Sequence, residues 1–134
     1  MKKVIISTIN HKEYQGSKSL ALLGMIYDDL TQLLRFIHKA QREGFLTEPF
    51  YFNNQIEYLD IFWHHFILHT RLYHNFCQTE LGEYLHHEPI QLRPNGNEQQ
   101  KDKNIYIEQL GLLERNMGED FVQRIFFLYP ELLK

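Results

Sequence analysis

Cysteine is almost missing from this chain: Cys77 is the single one in 134 residues. One thiol cannot close an internal disulfide, so no oxidising compartment is called for. Proline is scarce, four residues in all, and none falls between Tyr51 and Glu88, where the only glycine is Gly82. No apolar run approaches the ~20 residues that cross a bilayer. The opening MKKVIISTIN holds only VII before polar residues intervene, which is too short for a secretory signal. The expected setting is the cytoplasm, with no membrane partner. A basic excess is absent as well: 17 acidic residues stand against 14 basic ones, a net charge of −3. Nucleic acid is therefore not an expected partner, whereas a basic protein is compatible with that balance. Glycine-rich phosphate loops, a Gly-x-Ser-x-Gly elbow and paired cysteines are missing too. These absences point away from an enzyme.

Aromatic residues are abundant, with 10 Phe and 8 Tyr, and they recur at helical spacing. On a wheel at about 100° per residue, Leu59, Phe62, Phe66, Tyr73 and Phe76 fall on one stripe. Neighbouring apolar positions widen that stripe over most of the circumference, as expected of a helix packed on several sides. This stretch, from about Asn54 to Gln78, is the expected central helix. A continuation to His87 and a break near Thr79 or Gly82 are both open.

Before it, Ser17 or Ser19 is the expected cap of an amphipathic helix that stops at Gly44. After it, residues 88–104, with two prolines and Asn95-Gly96, read as a long polar loop. Helical patterns resume from Asn104 to Asn116 and from Glu119 to Tyr129, separated by Gly118, with Pro130 as the expected end. Residues 1–15 read as a short strand or an extended arm packed on the helices. The fold class that follows is all-α: residues 1–134 form a single-domain bundle of four to six helices around a long central helix.

Eight histidines are many for this length, and His64, His65, His69 and His74 lie in the central stretch. His65 and His69 are four apart, so on a helix their rings can converge on one ion. Both fall in the apolar sector, and Asp29, at the edge of the preceding helix's dry face, is the best third ligand. Glu83-x-x-His86 adds the local unit of carboxylate-bridged metal bundles, but the matching second pair is absent. Phe66 stands where a His-Glu-x-x-His motif would need Glu. Hydrogen-bonded core or interface histidines therefore outweigh a metal site, and no cofactor is expected. His64, with Asp60 one turn before it and Glu57 two turns before, reads as part of a solvated acidic surface rather than an acid–base pair.

The expected function is accordingly binding without catalysis. A small protein of this kind would act as an inhibitor or toxin-neutralising, immunity-type factor that occludes a partner through Asp28, Glu57, Asp60 and His64. The alternative is a histidine–carboxylate metal protein, enzyme or sensor, built on His65, His69 and Asp29. A homodimer is the third arrangement, because the central helix carries much apolar surface.

Overall fold

A computed structural model describes residues 1–9, 20–88 and 96–134, without the side chains of Lys2, Ile6, Ser7, Ile9 and residues 96–102. The architecture is all-α, with no strand among the described residues. Helix α1 spans Lys2–Ile9, α2 Leu20–Arg42 and α3 Glu57–Leu68. Helix α4 spans Thr70–Phe76 and runs into a π turn, Cys77–Leu81. Helix α5 spans Gly96–Met117. Helix α6 comprises Glu119–Gln123, a π turn over Arg124–Leu128 and a last stretch, Tyr129–Leu132.

The core forms where the apolar faces of α2 and α3 meet. Leu23, Ile26, Leu30, Leu34 and Ile37, spaced by three and four along α2, are buried against Leu59 and Phe62. Helix α2 ends in a Schellman motif at Gly44, where φ is +80°. The N–H groups of Gly44 and Phe45 close onto the carbonyls of Gln41 and Ala40. Its expected serine cap lies outside the described residues.

Four expectations need correction. The N-terminal segment is neither strand nor extended arm, because Lys2–Ile9 is helical. Its one turn-spaced face, Val4 and Thr8, is fully buried, and the Thr8 hydroxyl bonds the Val4 carbonyl at 2.9 Å and meets the Tyr27 hydroxyl. With no strand to pair with among the described residues, a helix satisfies that backbone from within.

The central helix is not continuous to Gln78 either. It breaks at His69, where φ −86° and ψ +73° leave helical geometry. The break folds Tyr73 back, so that its hydroxyl receives the Trp63 indole N–H at 3.1 Å. In an unbroken helix those residues, ten apart, would lie about 15 Å apart along the axis. After the π turn, Gly82 (φ +81°) ends the element, so no helix reaches His87.

Half of the expected loop is helix, since α5 already begins at Gly96. The run Glu98-Gln99-Gln100-Lys101 is made of strong helix formers and no proline follows Pro94 in it. The loop's residues 89–95 lie outside the described part. Finally, Pro130 does not end α6. It falls in the first turn after the π turn, where a missing N–H is tolerated.

Helix α5 is fastened to the 44–52 connection by the buried Gln109, whose amide both donates to and accepts from the Tyr51 backbone at 2.8 Å. Helix α6 is fastened to α3 by the Tyr58 hydroxyl, which donates to the Ile125 carbonyl at 2.6 Å.

Candidate metal centre

Residues 83–88 follow Gly82 without helical structure and cross the outside of α2 and α3 as a strap. Alternate strap residues face the bundle, as in any extended chain. Glu83 Oε1 lies 2.7 Å from Nε2 of the nearly buried His38 on α2. Leu85 is buried, and its carbonyl accepts the Tyr73 hydroxyl at 2.5 Å. His87 Nε2 then bonds Asp60 Oδ1 on α3. Burial holds the Tyr73 hydroxyl above the usual tyrosine range, so it remains a neutral donor to the strap.

That pinning assembles a cluster that helix spacing alone does not. Asp60 and His64 are one turn apart on α3, and the strap delivers His87 beside them. The His64 and His87 ring centroids are 4.5 Å apart. One ligand atom from each of Asp60, His64 and His87 lies within 4.8 Å of the other two. The His87 ring is held by rigid neighbours, Trp63 edge-on at 4.4 Å and Phe52 parallel at 6.4 Å. Asp60 and His87 are partly buried, while His64 is exposed, so the cluster opens to solvent on one side. Two imidazoles and a carboxylate are borderline donors, suited to zinc and its first-row neighbours.

The residues singled out from sequence divide between places. Asp60 and His64 belong to this cluster. Asp28 and Glu57 are exposed on the surface. His65 is half-buried on α3, and His69 is half-buried at the break, so the helical spacing that paired them is interrupted. Asp29 is drawn away altogether. It is buried against α6, where Arg124 grips both carboxylate oxygens at 2.8 and 3.0 Å and the Tyr129 hydroxyl donates at 2.6 Å. His65, His69 and Asp29 are thus not among the metal-competent groupings of the described residues. Glu83 and His86 also part: Glu83 goes to His38, and His86 is exposed beside Tyr84. His87 is the member that sequence spacing missed, because it arrives on a non-helical strap. The His86-His87 pair was the only hint.

A family model described as UCP032817-like matches residues 9–113. The chain belongs to the UCP032817-like family. The matched span carries Asp60, His64 and His87 together with the strap, and stops before α6. Among curated proteins and among solved structures nothing matches this UCP032817-like chain.

Proposed function

We propose that this UCP032817-like protein binds a divalent first-row metal ion, zinc foremost, on Asp60, His64 and His87. The convergence of three donor atoms from α3 and the strap carries the reading. Three protein ligands leave a tetrahedral ion one position for water or a small ligand, the pattern of reactive rather than closed structural zinc sites. His64 is the exposed member of the three, so the cluster is reached from solvent on its side. Binding requires neutral imidazoles, so affinity falls as the medium is acidified. The test is metal content and calorimetric zinc titration of untagged protein. Near-stoichiometric zinc is expected, lost in His87→Ala and His64→Ala and retained in His65→Ala and His69→Ala. A protein that takes up no zinc, or a His87→Ala variant that binds as well as the parent, overturns the assignment.

A second reading keeps protein binding, as an inhibitor or immunity-type factor in the cytoplasm. Two features support it. Helix α6 exposes the large apolar side chains of Phe127, Leu128 and Leu132, at 56%, 45% and 48%. Asp28 and Glu57 are exposed, and neither enters an ion pair among the described residues, which suits a basic partner.

A further inference from the structure

A second feature adjoins the metal cluster through Trp63 but shares none of its three ligands. Between the C-terminal turns of α2, the 44–52 connection and the strap lies an open-mouthed cavity of about 470 Å³. Small-molecule sites run to roughly 300–1,000 Å³. Its floor is apolar: Ile37, Phe50, Trp63 and Leu85 line it, each less than 5% exposed. Its lining also carries charge of both signs: Arg42 and Glu88, both exposed, and the half-buried Glu48. None of these three enters an ion pair among the described residues, whereas His38 and Glu83 in the same wall satisfy each other.

We propose that this cavity binds a free amino acid with a branched apolar side chain, its carboxylate at Arg42, its ammonium at Glu48 and Glu88, and its side chain on the floor around Trp63. The charges select this class. A simple anion placed at Arg42 would share the cavity with two carboxylates. A simple amine would leave the guanidinium facing it. A zwitterion answers both signs at once, and the apolar floor takes what a polar zwitterion such as glycine lacks. The pocket is too open and too mixed in charge to favour a wholly apolar ligand. None of the three proposed metal ligands lines it, so the inference does not rest on the metal reading.

Trp63 is the sole tryptophan of the chain, so its fluorescence reports on the cavity floor. The experiment uses the full chain in excess chelator, so that the metal reading can fail or succeed independently. Leucine is titrated by calorimetry and by Trp63 emission, beside 3-methylbutylamine, 4-methylpentanoate and glycine. Leucine is expected to bind and shift the emission, and each analogue, lacking one of the three features, to bind about tenfold more weakly or worse. Arg42→Met is expected to weaken leucine about tenfold while leaving the amine unchanged, and Glu48→Gln to weaken leucine while leaving the carboxylate analogue unchanged. Arg42 is exposed and Glu48 half-buried, neither belongs to the hydrophobic core, and circular dichroism with an unchanged Tm confirms folding. No heat and no emission change with leucine at millimolar concentration overturns the proposal. So do analogues that match leucine, or an Arg42→Met variant that binds leucine as the parent does.

Discussion

At the scale of single residues, the most demanding group is Asp29, a carboxylate that is only 5% exposed. A buried charge survives only when paired and hydrogen-bonded, and Arg124 and Tyr129 together supply three donors. The carboxylate in turn holds the Arg124 guanidinium charged well beyond its usual range, the hydrogen bond from Arg124 being the main cause. Burial first, and the bond to Asp29 second, push the Tyr129 hydroxyl from its ordinary 10.0 up to about 12. A raised pKa means that the folded state prefers the neutral phenol. Its contribution is therefore complete below pH 10 and disappears as pH rises through about 12. In Tyr129→Phe, ultraviolet titration is expected to lose a late-ionising tyrosine, and Tm is expected to fall less steeply across that alkaline window. A variant with the parent's alkaline profile would show that the hydroxyl is not so placed. The sequence marked Asp29 as unusual, on the edge of an apolar face, but assigned it the wrong partners. Arg124 and Tyr129 lie nearly a hundred residues further on, and no local spacing connects them to it.

At the scale of elements, irregular turns do the positioning. Arg124 and Tyr129 are five apart, which on an α-helix would set them about 140° apart around the axis. The π turn between them, closed by the Tyr129 N–H on the Arg124 carbonyl, brings both onto the face that meets Asp29. Gly118 sets the angle between α5 and α6 at φ +87° and ψ +163°, a conformation that side chains rarely adopt. Gly118→Ala is expected to cost about 1–3 kcal/mol in urea unfolding. Gly24→Ala, inside α2 with nothing within 4 Å of the added carbon, is expected to be neutral or stabilising by up to about 1 kcal/mol. Equal effects at the two sites would contradict the backbone assigned to Gly118. Gly44 and Gly118 were legible as stops because their chemistry is local, while at Gly82 a break and a continuation both stayed open. The break at His69 was not, since neither glycine nor proline marks it and the apolar spacing runs on through it. Packing of Phe66, Tyr73 and Phe76 against one another, at 5.0–6.4 Å between ring centroids, outweighs the straight helix there.

At the scale of the whole molecule, two faces remain distinct. One carries the strap, the cluster of Asp60, His64 and His87, and the cavity. The other carries the exposed apolar residues of α6, Phe127, Leu128 and Leu132. If these residues meet a protein partner, cross-linking followed by affinity capture should recover one species with the parent and lose it with Phe127→Asp. Light scattering of the same pair tells whether that species is a second copy of the chain. Repeated capture of nothing by the parent would remove the second reading. No helix among the described residues is long and apolar enough to cross a membrane.

Composition and periodicity alone determined the all-α class, the apolar faces of α2 and α3 and the stops at Gly44 and Gly118. Each depends on contacts within a few turns of chain, where residue order is also spatial order. Only the tertiary structure decided which histidines meet a carboxylate. His87 reaches Asp60 across 27 positions on a non-helical strap, and Asp29 is taken by a helix 95 positions away. Such pairings are settled by which buried charges must find partners once the whole chain has packed, and that competition has no signature in local sequence.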